Sequence, residues 1–293
     1  MNIYHDCVAC LIRQTVEAGR LATADLEIQD RILRAVLGAL AKRSFDESPA
    51  HIAREVHQLV QGISGNPDPY KEVKTRANNS ALAARRACWD TLPAAAKSLE
   101  RAVLLAIAGN AMDIAPKSGR GNLDIMSEIG RLLSRRIDSN SLENLRRASQ
   151  GARRILYLGD NAGEIVFDRI LIEMLPAERI TYAVKAKPIL NDATLLDAQA
   201  AGLPEIVEVI DNGSDAPGTI LDTCSPEFCK RFDESDLVIA KGQANYETLC
   251  DVDKDGLYFL LLVKCPVLAR DIGANVDDVV VRNAKSRPAR TQP

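Results

Sequence analysis

The sequence predicts an α/β fold, a largely parallel, doubly wound sheet with a helical region before it. Two observations carry the prediction. Up to about residue 150, apolar residues recur with the 3.6-residue period of amphipathic helices. Beyond it, short apolar runs alternate with helical segments, the pattern of βαβ units. Hydrophobic residues make up 46% of the 293 and aromatics only 4%, which suits helices and an α/β layer better than an all-β sandwich. The predicted organisation is a helical domain over 1–150, an α/β domain over 151–285 and a flexible tail over 286–293.

In the first part, Cys10–Leu21 and Ile28–Leu40 carry apolar residues at i, i+3, i+4 and i+7. Ser48 opens a third helix with Pro49 in its first turn. The stretch SGNPDPY (Ser64–Tyr70) breaks the chain. Helices are expected over Lys71–Leu92 and Pro93–Met112, a loop over Ala115–Asp124 and a polar helix over Asp138–Gly151. In the second part the predicted strands are Ile155–Leu158, Ile180–Val184, Ile206–Ile210, Leu237–Ala240 and Leu257–Val263. The predicted helices are Gly163–Met174, Asp192–Ala200, Pro226–Phe232 and Asn245–Leu249. Stacked in layers, these make a Rossmann-like three-layer sandwich.

Composition excludes several roles. A net charge of −3 supplies no broad basic field for nucleic acid or a membrane surface. No stretch approaches the ~20 apolar residues of a membrane span, and the N-terminus lacks the pattern of a signal peptide. The expectation is a cytoplasmic protein with neither a nucleic-acid nor a membrane partner. Its seven cysteines are scattered, unlike a disulfide framework.

In a parallel sheet, ligands bind beyond the carboxyl ends of the strands. Here those ends are polar. They carry Gly159-Asp160-Asn161, then Asn191-Asp192, then DNGSDAPG (Asp211–Gly218), then KGQANYE (Lys241–Glu247), then VKCP with Lys264. Carboxylates and carboxamides at Asp160, Asn161 and Asp192 are oxygen donors of the kind Mg²⁺ or Mn²⁺ prefers, with Co²⁺ or Ni²⁺ as further candidates. Lys241 and Lys264 offer point charges for phosphate oxygens. The turn at Gly213, Ser214 and Asp215 offers backbone N–H groups to an anion. Each feature also has a plain structural meaning. Asp160, Asn161 and Asp192 are residue types that cap helices, and Gly213–Asp215 is a turn sequence.

The motifs GDNAGE, VKxKPxxNDxT, DNGSDxPG, DLVIAKGQANYE and VKCP, with CVACLIRQ and GNAMDIA upstream, resemble those of the metal-dependent damage-control phosphatases, the ARMT-like proteins long grouped as domain of unknown function 89. The Cys-x-x-C near the start is similar to that of one branch. The resemblance implies an α/β sandwich that holds a divalent ion and hydrolyses phosphate esters of small metabolites, such as sugar phosphates or damaged phosphometabolites. It carries the family's metal-binding Asp-Asn pair onto Asp160 and Asn161 and its third ligand onto Asp192. The Lys-Gly-Gln-x-Asn-Tyr element falls on Lys241, Gly242, Gln243, Asn245 and Tyr246. Where some relatives have Arg-Thr-x-Lys, this chain has Leu261-Leu262-Val263-Lys264 and keeps only the lysine. The resemblance thus implies Asp160, Asn161, Asp192 and Lys241 as catalytic residues. Substrate phosphate would meet Asn110, Gly213, Ser214, Asp215, Lys241, Asn245 and Lys264. The nucleophile is either water or Asp160 itself.

Asn110 and Asp113 lie three apart on an apolar helix, so they share a face. They either bond a neighbouring helix or reach the site from the first domain. Cys7 and Cys10 are two partly buried thiols on a helix start, a redox pair or part of an accessory metal site. Cys224, Cys229, Cys250 and Cys265 read as packing residues, and His51 and His57 as surface or cap residues. Two other functions fit parts of the pattern. One is an S-adenosylmethionine-dependent methyltransferase, although the glycine after Gly159 is Gly163 and the G-x-G-x-x-G spacing fails. The other is a non-catalytic phosphometabolite-binding protein, against which stand two aspartates that would repel phosphate without a metal.

Overall fold

Six strands order as β3-β2-β1-β4-β5-β6 in a computed structural model, which describes residues 1, 3–111 and 125–286, the last two residues of the first segment by their backbone only. The strands are β1 (Ile155–Leu158), β2 (Ile180–Val184), β3 (Glu208–Asp211), β4 (Leu237–Lys241), β5 (Leu257–Leu262) and β6 (Val279–Asn283). The first five pair in parallel, and β6 pairs antiparallel with β5. Strand order reverses between β1 and β4, which makes the gap at their carboxyl ends the topological switch point.

Among the described residues, seven α-helices precede the sheet: α1 (His5–Ala22), α2 (Leu26–Leu40), α3 (Pro49–Ser64), α4 (Lys71–Arg85), α5 (Leu99–Ala111), α6 (Ile125–Leu133) and α7 (Ser139–Gly151). Five are interleaved with strands: α8 (Glu164–Ile172), α9 (Leu195–Ala200), α10 (Pro226–Glu234), α11 (Gly242–Leu249) and α12 (Pro266–Ile272). No helix among the described residues is long and apolar enough to cross a membrane.

Period-2 alternation sorts each central strand between two cores. Ile155 and Tyr157, Leu237 and Ile239, and Tyr258, Leu260 and Leu262 face one apolar cluster, shared with α4 to α8. Leu156 and Leu158, Val238 and Ala240, and Leu257, Phe259 and Leu261 face the other, with Phe228 and Phe232 of α10 and Leu268 of α12. The result is the expected three-layer α/β sandwich. The first 150 residues divide between two roles. Helices α1 to α3 close their own clusters around Leu11, Val36, Ile52, Val56 and around Ala18, Ile32, Val60. Helices α4 to α7 form part of the layer covering the sheet.

Several elements differ from expectation. The helix from Lys71 ends at Arg85 and continues as a π-helical turn to Asp90. Helix α5 starts at Leu99, where Ser98 Oγ accepts from the Arg101 N–H at 3.2 Å. Strand β6 and helices α6 and α12 are additional. His57 is buried, not at the surface, and its ring meets Tyr70 edge-on at 6.0 Å. His51 does sit at a helix start, its Nδ1 2.8 Å from Ser48 Oγ. Residues 287–293, most of the expected tail, lie outside the described residues.

Candidate active site

The β1 turn comes first. Gly159 continues the ladder by donating to Ala183 O at 3.0 Å. A side chain at 159 would collide with the Tyr182 hydroxyl, so only glycine lets the strand end there. Gly163, at φ 80°, occupies the N-cap of α8, and its N–H donates to Asn78 Oδ1 at 2.7 Å. Asp160 and Asn161 therefore precede the cap position. Both are buried.

The loop after β2 folds onto this turn. Lys185 N–H donates to Ala193 O at 2.9 Å. Leu190 takes a left-handed conformation at φ 47°, a strained choice for a leucine. Beyond it, Asn191 O accepts from Ala162 N–H at 2.9 Å, and Ala193 N–H donates to Asp160 O at 2.8 Å. Asn161 and Asp192 thus face each other as an isolated antiparallel bridge. Asp192 does not cap α9; Thr194 does, in a capping box with Asp197. Backbone bonding between two β–α junctions brings Asp160, Asn161 and Asp192 together beside the switch point.

Their electrostatics are unbalanced. Burial pushes the Asp160 carboxyl well above the usual carboxylate range, and Glu164 and Asp192 push it further. Lys264 and Lys185 oppose that rise. Lys185 is buried, bonded to Gly218 O and 3.6 Å from Asp192 Oδ2. Sequence reasoning passed over Lys185, although it directly follows β2. Lys264 is half-buried. Among the described residues, no group of three or more His, Cys, Asp and Glu is placed to hold a metal ion, and the oxygen donors gathered here are two carboxylates and the Asn161 carboxamide.

Lys241 is not where a phosphate clamp belongs. It lies beneath the rim, wholly buried, and its ammonium donates to Ala106 O at 2.8 Å, Glu164 Oε1 at 2.7 Å and Asp168 Oδ1 at 2.6 Å. Those three bonds use its donors. Burial disfavours its charge, yet Asp168 and Glu164 together hold its pKa above that of a free lysine. Asp168 also accepts from the hydroxyls of Tyr157 at 2.8 Å and Tyr182 at 2.7 Å. Burial and Asp168 raise both phenols well above their ordinary range, so both stay donors. Glu164 and Asp168 are further site residues that the sequence reading did not single out.

Asn245 is structural by its contacts. Its Oδ1 accepts from Thr219 Oγ1 at 2.7 Å, and its Nδ2 donates to Lys241 O at 2.8 Å and Gly159 O at 3.4 Å. In the Gly213–Asp215 turn, the N–H groups of Gly213 and Ser214 are taken by side chains of the same loop. Gly213 N–H donates to Asp211 Oδ1 at 2.9 Å and Ser214 N–H to Asn212 Oδ1 at 3.0 Å. Asp215 accepts from Arg54 of α3 at 2.6 Å and Gln58 at 2.9 Å, so it ties the first helices to the sheet. The side chain of Asn110, and Asp113 altogether, lie outside the described residues. Cys7 is half-buried and Cys10 exposed, and neither is in a disulfide. Burial raises the Cys7 thiol, the opposite of an activated thiolate.

Comparison with known proteins matches residues 3–280 to the damage-control phosphatase ARMT1-like domain. An uncharacterised protein of Methanocaldococcus jannaschii, MJ0202, is 39% identical over 96% of this chain and 95% of its own length. A damage-control phosphatase of Archaeoglobus fulgidus is 35% identical over 96% and 99%. The crystal structure of PH1575, a DUF89 family protein of Pyrococcus horikoshii, superposes with a TM-score of 0.86 at 33% identity, covering 96% of this chain and 98% of that one. With a family model over nearly its whole length and these relatives, the chain belongs to the ARMT1-like damage-control phosphatase family.

Proposed function

We propose that this protein is a divalent-metal-dependent phosphatase acting on phosphate esters of small metabolites, with Asp160, Asn161 and Asp192 as the metal ligands. The observation that carries the reading is the bridge between Asn161 and Asp192, which gathers three oxygen donors in a buried place where carboxylate faces carboxylate. Such a set fits a hard, oxygen-seeking cation such as Mn²⁺ or Mg²⁺. When bound, the cation would polarise the phosphoryl group and offset its charge.

The chain's own residues supply the rest. Lys185 and Lys264 flank Asp160 as point charges for phosphate oxygens. Leu261, Leu262 and Val263 are buried, so this stretch offers no counterpart to the arginine of relatives with Arg-Thr-x-Lys. Family membership favours phosphate-ester hydrolysis over methyl transfer. Attack by Asp160 would leave a phosphoryl group on the enzyme, whereas direct attack by water would not.

The test is a turnover screen over sugar phosphates and other small phosphate esters, each with Mg²⁺, Mn²⁺, Co²⁺ and Ni²⁺. Metal-dependent phosphate release is expected, and Asp160→Asn should cut it at least about 100-fold. Turnover untouched by chelator and by Asp160→Asn would refute the assignment. Phosphate-ester binding without any turnover would instead favour the non-catalytic reading.

A further inference from the structure

We infer that Glu164, held by the buried Lys241, is a positioning residue that sets the orientation of the Asn161 carboxamide and so directs its carbonyl oxygen toward the cation. This inference rests on the assignment of Asp160, Asn161 and Asp192 as the cation site. Asn161 Nδ2 donates one proton to Asp160 Oδ2 at 2.8 Å and the other to Glu164 Oε2 at 3.2 Å. Both amide protons are engaged with carboxylates. The flipped amide would set Oδ1 against two carboxylates, so the orientation is chosen by hydrogen-bond chemistry. Oδ1 then points away from Glu164 as the amide's ligand end.

Glu164 is itself immobilised. Its Oε1 accepts from Lys241 Nζ, and Lys241 is pinned by Asp168 and Ala106 O. Asp168 is pinned in turn by two tyrosine hydroxyls on adjacent strands. Glu164, Asp168 and Lys241 have zero exposure, as do the two tyrosine rings. The chain thus runs from the sheet face, through one lysine and two carboxylates, to a ligand amide. A relay of this kind is how an outer residue governs a metal ligand it supports.

The substitution Glu164→Gln probes this chain directly. Lys241 is charged and keeps the oxygen of the new side chain. The new NH₂ then faces Asn161 Nδ2, donor against donor, and the Asn161 amide must flip or move. Lys241 and Asp168 remain a balanced pair, so the variant retains its buried ion pair. Calorimetric titration with Mn²⁺ should show wild-type binding and at least a tenfold weaker affinity in Glu164→Gln. Adding Asn161→Asp makes both oxygens of residue 161 acceptors and removes the need for orientation. The double variant should recover most of the lost affinity, a coupling that a merely structural role would not produce.

Equal Mn²⁺ affinity in wild type and Glu164→Gln overturns the inference and leaves the metal assignment standing. Absence of Mn²⁺ binding to the wild type overturns both. If Glu164→Gln fails to fold, ¹⁵N-asparagine-labelled wild type decides. Two distinct, slowly exchanging Nδ2 protons of Asn161, retained on adding Mg²⁺, support the inference. A single averaged, rapidly exchanging signal contradicts it.

Discussion

Two buried polar clusters meet at the carboxyl end of the sheet, built from similar residues to opposite effect. Around Lys241, each ammonium proton has an acceptor, and Asp168 takes two phenol protons as well. Around Asp160, carboxylates press on one another, and the Asp160 carboxyl is driven up by burial, Glu164 and Asp192. The first cluster resembles a finished piece of core, since a buried charge is tolerable when paired and hydrogen-bonded. In the second, burial and neighbouring carboxylates hold the Asp160 carboxyl up despite Lys264 and Lys185, a condition under which a cation would add stability as well as chemistry. The difference separates anchoring from ligation better than residue type does.

Exchanging charge in the two clusters should therefore have opposite consequences for stability. Lys241→Met strands Glu164 and Asp168 in the interior and should cost about 3–5 kcal/mol by chemical denaturation. Asp160→Asn relieves like-charge repulsion and should leave metal-free stability unchanged or raise it, while removing activity. A comparable loss from both substitutions would erase the distinction.

A smaller effect comes from outside both clusters. His57 is buried in the helical region, and its Nε2 has no hydrogen-bond partner among the described residues. Burial lowers its pKa from 6.5 to about 4. Above pH 6.5 both folded and unfolded states hold it neutral. As pH falls from there, the unfolded chain takes up a proton that the fold refuses until about pH 4. Stability should fall over that window by about 3 kcal/mol. Denaturation midpoints followed from pH 7 to 4 should show a shallower slope for His57→Leu. An unchanged slope would place the acid sensitivity elsewhere.

Much of the architecture was legible in the sequence, because apolar runs bounded by turns mark parallel strands strongly. Strands β1 and β2 match their expected limits. Strand β6 was missed because its apolar stretch is only Val279-Val280-Val281 and it runs antiparallel at the edge, outside the βαβ rhythm. Helix α12 is a short segment capped by Cys265, a residue type that gives little capping signal. Location at a strand end was also legible, but direction was not used. Leu237 and Ile239 face the α5–α8 side, and alternation sends Lys241 the same way, beneath the rim. Glu164 and Asp168, four apart on one face of α8, were not singled out from the sequence. Their burial comes from α5 and the sheet closing on α8, which no local pattern reports. Lys185 drew no notice because its carbonyl partner, Gly218, lies 33 residues away.

The central claim is that Asp160, Asn161 and Asp192 close on one divalent cation. Crystals soaked in Mn²⁺, with anomalous scattering recorded at the manganese edge, test it most directly. The account predicts one strong peak within bonding distance of an oxygen from each of the three side chains. A peak at another site, or none in crystals of protein that turns over with Mn²⁺ in solution, would contradict it.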